Sequence, residues 1–240
     1  MGRDYFLSDV HLRLDCPDRG DRLAALVDRL DPGDSLTIVG DLCDFWFAAR
    51  QRRADPFACR GLRSLARFRD RGGAITILAG NHDAWLGPFY RATLGATFLA
   101  DRLERDLGGL RALVTHGHRL GARTPWKVGL ESRAFLAAFR ALPAVIADGL
   151  GAQLQRTNEA HQDDFDRQGL DVYRGYAAGV GDRFDLVILG HVHRPLDTGP
   201  AHPRLVVLGG WHDGSAYLVV ADGVARHHVE PAPPLSLGIR

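Results

Sequence analysis

Six short apolar runs in this chain each stop at residues that bind metal or phosphate, and no other feature restricts the possible fold as much. Tyr5-Phe6-Leu7 leads into Ser8-Asp9-Val10-His11, Leu36-Thr37-Ile38-Val39 into Gly40-Asp41, and Ile75-Thr76-Ile77-Leu78 into Gly80-Asn81-His82-Asp83. Leu110 to Val114 leads to His116-Gly117-His118, Leu186 to Leu189 to Gly190-His191-Val192-His193, and Leu205 to Leu208 to Gly209-Gly210-Trp211-His212. Runs this short and rich in β-branched residues read as buried strands. Polar residues at the carboxyl ends of such strands are where α/β folds build their sites.

Helical patterns lie between the first strands. Leu23, Leu26, Val27 and Leu30 fall at i, i+3, i+4 and i+7, and Asp31-Pro32-Gly33 ends the pattern. A second stretch runs from about Arg60 through Leu62, Leu65, Ala66 and Phe68 and stops at Gly72-Gly73. Strand, helix, strand, helix implies right-handed crossovers and a largely parallel sheet. Beyond Leu205 the character changes to strand-turn-strand: Ala216 to Val220, a turn at Asp222-Gly223, then Ala225 to Val229, read as antiparallel hairpins completing a second sheet. The Pro-rich tail from Glu230 reads as frayed.

Residues 119–184 break this rhythm. Phe135, Leu136, Phe139 and Leu142 precede Pro143, then Val145, Ile146, Leu150 and Leu154 follow at helical spacing, with no ligand-like cluster. The stretch reads as a helical insertion over the site, a lid for an acyl chain or other substrate, or equally as a pair of core helices. The 240 residues otherwise suit a single domain, 1–240, with this insertion inside it.

Composition excludes several classes. Thirty Lys+Arg against 29 Asp+Glu leave a net charge of +1, with no basic stripe for nucleic acid. Three cysteines, Cys16, Cys43 and Cys59, form no CxxC pair and no disulfide framework, so a reducing cytosolic setting is expected. The start MGRDYFLSDVH is too acidic for a signal peptide, and no stretch approaches a membrane span, so any membrane role is peripheral.

The strand-end residues Asp9, His11, Asp41, Asn81, His116, His191 and His193 combine carboxylate, carboxamide and imidazole, a donor set suited to Mn, Fe, Co or Zn rather than a bare Mg site. Singly each has a structural explanation: Asp9 as a helix N-cap, Asn81 as a turn residue, His116 as a core histidine. Jointly they point to a two-metal site, with the central Asp41 as the carboxylate that bridges the ions.

Asp9-Val10-His11, Gly40-Asp41-Leu42-Cys43-Asp44, Gly80-Asn81-His82-Asp83, His116-Gly117-His118 and Gly190-His191-Val192-His193 resemble, in order, the five blocks of the calcineurin-like metallophosphoesterases. The resemblance implies an α/β sandwich of two mixed β-sheets flanked by helices. It also implies one metal on Asp9, His11, Asp41 and His193, and another on Asp41, Asn81, His116 and His191. His82, oriented by Asp83, would stabilise the transferred phosphoryl group or protonate the leaving oxygen, which makes these two the catalytic pair.

Asp44-Phe45-Trp46, His191-Val192-His193-Arg194-Pro195, Leu208 to Ser215 and the apolar insertion further resemble the UDP-2,3-diacylglucosamine pyrophosphohydrolases of lipid A biosynthesis. That family uses Mn and water to release UMP and 2,3-diacylglucosamine 1-phosphate. The resemblance thus implies a lipid-linked nucleotide-sugar substrate and a cytoplasmic enzyme at the inner face of the membrane. His82 and His118 depart from the Arg and Asp of that family's best-known branch, toward the generic phosphoesterase pattern. Two alternatives follow: a metallophosphoesterase acting on another nucleotide or phosphoester, and a noncatalytic metal-binding scaffold.

For substrate contacts, His82, Arg156, Asn158 and Arg194 are the candidates, with solvated helix-surface residues as the alternative for Arg156 and Asn158. Trp46, Phe47 and Trp85 would line a pocket or simply pack, Cys43 is expected to be a small buried hydrophobe, and His212 to stand near the metals or at the surface. His161, His202, His227 and His228 are read as surface residues.

Overall fold

The structure is a computed structural model, which describes residues 2–44, 53–121, 133–143, 145–147, 149–150, 153 and 169–232. Trp46, Phe47, Leu154, Arg156, Asn158 and His161 lie outside the described residues.

Among the described residues, eleven strands form two mixed sheets. In chain order they are β1 (Asp4–Leu7), β2 (Ser35–Val39), β3 (Ala74–Leu78), β4 (Thr97–Leu99), β5 (Arg102–Leu107), β6 (Leu110–Thr115), β7 (Leu186–Leu189), β8 (Leu196–Asp197), β9 (Arg204–Val207), β10 (Gly214–Ala221) and β11 (Val224–Pro231). The first sheet runs β11-β10-β1-β2-β3-β4, with β1 to β4 parallel and the hairpin antiparallel. The second runs β5-β6-β7-β9-β8, parallel through β6, β7 and β9, with antiparallel edges. The final hairpin therefore extends the first sheet, beside β1, and does not complete the second as its sequence position implied. β11 also continues through Pro231, and the Ala232 amide bonds the Asp213 carbonyl at 2.9 Å, so Glu230 is not frayed.

Helices cover the outer faces. α1 (Pro17–Val27) and α2 (Arg60–Asp70) occupy the expected positions, although α1 ends before Leu30, which stays buried in the following turn. α3 (Gly87–Leu94) follows the loop after β3, α4 (Arg133–Ala141) lies in the insertion, and residues 169–180 are helical.

The two-residue period of a strand explains the layering. Tyr5 and Leu7 point outward, joining Leu36, Ile38, Ile75 and Ile77 under the apolar stripes of α1 and α2. Phe6 points the other way, into the layer where Val39 and Leu78 meet Val114, Ile188 and Val206 of the second sheet. Val187, Leu189, Leu205 and Val207 face out again, under Leu170, Tyr173 and Ala177 of the helix over residues 169–180. Strands buried on both faces need near-continuous apolar runs, and each fully buried Leu, Ile or Phe contributes about 1.5–3 kcal/mol. The stacking is thus helix, sheet, sheet, helix.

The insertion has a small apolar cluster of its own, in which Phe139 and Ala147 are buried against Phe135, Leu142 and Trp85. Trp85 comes from the loop after β3, so its ring packs against the insertion. Val145, Ile146 and Leu150 remain exposed.

Candidate metal centre

Parallel strands β1, β2 and β3 in one sheet and β6, β7 and β9 in the other end on the same edge of the sandwich. Their six following loops converge there. Hydrogen bonds join them: the Asp9 amide to the Gly40 carbonyl, the Gly190 amide to the His116 carbonyl, both at 3.2 Å, and the Trp211 amide to the Asp9 carbonyl at 3.1 Å.

The turns are sharp enough to force unusual backbone. Asp9, His11, Asp41 and His191 have φ of 53°, 50°, 53° and 67°, a region costing a non-glycine residue about 1–3 kcal/mol unless its surroundings impose it. Gly40, at φ 83°, has a second reason to be glycine, because a Cβ there would collide with the His116 imidazole.

Three largely buried groups of donors result: Asp9, His11 and His193; Asp41, His116 and His191; and His11, Asp44 and His82, each with donor atoms within 4.8 Å of one another. In the first, His11 Nε2 and His193 Nε2 stand 3.2 Å apart, with Asp9 Oδ1 at 3.8 and 3.6 Å from them. Asp9 is wholly buried and its Oδ1 has no hydrogen-bond partner. A buried carboxylate oxygen facing two imidazole nitrogens is costly without a cation.

In the second group His116 Nδ1–H donates to the Val39 carbonyl at 2.7 Å, which turns Nε2 toward Asp41 Oδ2 at 3.3 Å and Asn81 Oδ1 at 3.1 Å. Backbone anchoring of one nitrogen is how metal-binding histidines fix the other. The donor set therefore fits divalent cations, and the sequence-expected Asp9, His11, Asp41, Asn81, His116, His191 and His193 all stand in this one cluster.

Electrostatics agree with that use. Burial, then the positive neighbour His82, holds the His11 imidazole well below its usual range, and burial followed by His116 does the same to His191, leaving both neutral. Burial would raise the Asp41 carboxyl, but His116 and His82 outweigh it and keep Asp41 ionised. His116 shows the reverse balance: burial lowers it, Asp41 prevails, and the imidazole rises to about 9.

His82 lies beside this cluster, and its partner differs from the expected one. Its Nδ1–H donates to Asp44 Oδ1 at 2.7 Å and its amide to Asp41 Oδ1 at 2.8 Å. Asp83 does something else: wholly buried, it accepts from the Leu42 and Gly80 amides at 2.9 Å and from the Tyr90 hydroxyl at 2.8 Å, pinning the β2 and β3 loops and α3 together. Burial, reinforced by Asp41, raises its carboxyl to about 6. Asp44 was visible in the sequence three residues after Asp41, but its pairing with His82 was not.

His212 is half-buried, stacked on His193 with ring centroids 4.7 Å apart and 5.5 Å from His11, which removes the surface reading. Burial, then Arg19 and His193, lowers it to about 3. His227, bonded from Nε2 to the Leu208 carbonyl, and His228, stacked on Tyr217, are half-buried too, contrary to expectation, while His202 is exposed. Cys43 is buried and unbridged as expected. Arg194 stands exposed next to His193.

Comparison with known proteins matches this arrangement. The calcineurin-like phosphoesterase family profile covers residues 5–195. A UDP-2,3-diacylglucosamine hydrolase of Aeromonas salmonicida is 31% identical over 96% of this chain and 94% of its own length. One from Nitrosococcus oceani is 30% identical over 89% of each. Among solved structures, a hypothetical protein of Pyrococcus horikoshii superposes with a TM-score of 0.52 at 10% identity, covering 98% of this chain and 90% of that one, a likeness of fold. With its strand-end blocks inside the matched region and buried His and Asp groups able to hold the divalent metals that such enzymes use, the chain belongs to the calcineurin-like phosphoesterase family of hydrolases.

Proposed function

We propose that the protein hydrolyses the pyrophosphate of UDP-2,3-diacylglucosamine, giving UMP and 2,3-diacylglucosamine 1-phosphate for lipid A biosynthesis. The observation that carries this reading is similarity to hydrolases of that substrate along nearly the whole chain, insertion included. Asp9, His11, Asp41 and His193 would hold one ion, and Asp41, Asn81, His116 and His191 the other, with Mn the expected metal. Bound divalent ions supply Lewis acidity at the phosphoryl oxygens and a water of lowered pKa.

The chain's own groups would do the rest. Asp44 fixes the ring of His82 by accepting from its Nδ1–H. Burial opposes a charge on His82, but Asp41 and Asp44 outweigh it and raise the imidazole to about 10, and Asp44, which is not among the expected metal ligands, would keep favouring a charged N–H there. The leaving group of this reaction is a phosphate, a weak base that needs no full protonation. His82 accordingly acts first as an electrostatic partner of the phosphoryl oxygens. Strained, mutually bonded loops keep the ligand side chains oriented before substrate arrives.

A diacyl substrate also needs an apolar surface. Exposed Val145, Ile146 and Leu150 of the insertion offer one, and residues 119–184 are read as a lid over the acyl chains. Among the described residues no helix is long and apolar enough to cross a membrane. Peripheral residence on the cytoplasmic face of the inner membrane suits a lipid substrate carrying a soluble nucleotide. His82 and His118 favour a second reading, a phosphodiesterase of another nucleotide, since both follow the generic pattern.

UMP release from UDP-2,3-diacylglucosamine by the purified protein with Mn, beside Asn81→Ala, separates the readings. Release that requires both the metal and Asn81 is expected. Metal-dependent cleavage of a chromogenic phosphodiester without any UMP release would move the protein to the second reading.

A further inference from the structure

Tyr173 belongs to the helix over residues 169–180, in a part of the chain where the sequence offers no ligand pattern. It is 2% exposed, and its ring packs with Val187, Leu189 and Val192. Its hydroxyl donates to the Gly190 carbonyl at 3.1 Å. That hydroxyl also fills the space beside Gly117, whose φ is 94° and whose position a Cβ would make collide with the tyrosine. The phenol thus wedges between the loop carrying His116 and His118 and the loop carrying His191 and His193.

The peptide it touches is the one that sets His191. The Gly190 carbonyl accepts from Tyr173 and from the Val192 amide at 2.8 Å. At the other end of the same peptide, the His191 amide donates to Asp9 Oδ2 at 2.8 Å. Both edges of the Gly190–His191 peptide plane are therefore held, and the residue that follows has φ 67°. Without such restraint a histidine would leave that conformation.

We infer that Tyr173 is a positioning residue that orients His191 toward the second cation by clamping the Gly190–His191 peptide, and so ties the insertion's last helix to the metal centre. The inference rests on the reading of His191 as a metal ligand. Partners that fix a ligand's orientation are worth about ten- to hundredfold in metal affinity.

The test titrates Mn²⁺ into the metal-free full chain by calorimetry, comparing the parent, Tyr173→Phe and His191→Ala. Amide hydrogen exchange is followed in the metal-free parent and Tyr173→Phe. Tyr173→Phe keeps the packed ring and removes the hydroxyl. Expected are a loss of about tenfold or more in affinity for the ion that His191→Ala loses and exchange about fivefold faster at His191 and Val192. The strands of both sheets should exchange as in the parent. Unchanged Mn²⁺ affinity in Tyr173→Phe, with His191→Ala losing an ion, would overturn the positioning role alone. Full binding by His191→Ala would remove the metal reading beneath it.

Discussion

His82 receives two opposed influences, and their balance decides its job. Burial favours the neutral ring, whereas Asp41, Asp44 and Asp83 favour the charged one, and the carboxylates prevail. Because Asp44 holds Nδ1, an Asp44→Asn variant should leave the ring in place but remove one of the charges that favour its proton. Turnover should then fall by about 10–10²-fold, and by about 10²–10⁴-fold in His82→Ala, the range for one acid–base or electrostatic group. Metal content, read by elemental analysis, should stay at the parent level in both variants. Parent-level turnover in His82→Ala would reduce the residue to a packing role. The sequence made His82 legible because it sits inside a recognisable block, yet it misdirected the choice of partner. Asp83 is adjacent in the chain, but its carboxylate turns into the backbone of Gly80 and Leu42. The partner came instead from the β2 loop, a contact between residues 38 apart that spacing alone does not encode.

Elements were legible in proportion to how completely they are buried. β1, β2, β3, β6, β7 and β9 announced themselves through apolar runs, and the stripes of α1 and α2 did likewise. β5, with the sequence RLERDL, escaped notice because it is a mostly exposed edge strand, and β4 and β8 are too short to carry a pattern. The placement of the β10–β11 hairpin was hidden for another reason: pairing β10 with β1 joins residues more than 200 apart, and alternation shows which face is apolar but not which sheet is joined. The edge formed by β8 and β9 rests on a fork: Arg204 donates to both Asp197 oxygens at 2.9 and 2.7 Å and reaches across to the Ala225 carbonyl at 2.8 Å, linking the two sheets. The Arg204 hydrogen bonds hold the Asp197 carboxyl below its usual range, against a smaller opposing effect of burial. A depressed folded-state pKa gives stability that is present above the unfolded carboxylate value and lost as pH falls through the folded one. Asp197→Asn should therefore lower the urea midpoint at pH 7, by the equivalent of about 0.5–1 kcal/mol for a partly exposed pair. That gap should close as the medium is acidified below about pH 4. A gap of constant size from pH 7 to strongly acid medium would mean that charge is not its source.

At the scale of the whole molecule, two sheets packed face to face turn one edge into a rigid platform on which six loops meet, while the insertion is attached there by contacts of a different kind. Phe139 and Ala147 pack on Trp85 of the β3 loop, and Tyr173 bonds the β7 loop, so the insertion is fastened to two of the loops that build the centre. Two of its described apolar side chains have no such cover: Val145 is 86% exposed and Ile146 51%. Exposed aliphatic groups contribute little to folding, and changing them costs within about 0.5 kcal/mol. Val145→Ser with Ile146→Ser should thus leave the melting temperature nearly unchanged. If these side chains receive acyl chains, the double variant loses apolar contact worth about 0.8 kcal/mol for each methylene no longer covered. The KM for UDP-2,3-diacylglucosamine should then rise by about tenfold, with kcat and kcat/KM for a soluble chromogenic diester held at parent values, because the metal-bearing loops are untouched. Steady-state kinetics on the two substrates decide the matter. An equal change on both would show that the insertion acts on the loops rather than on the lipid, and no change on either would leave the exposed patch without a part in catalysis.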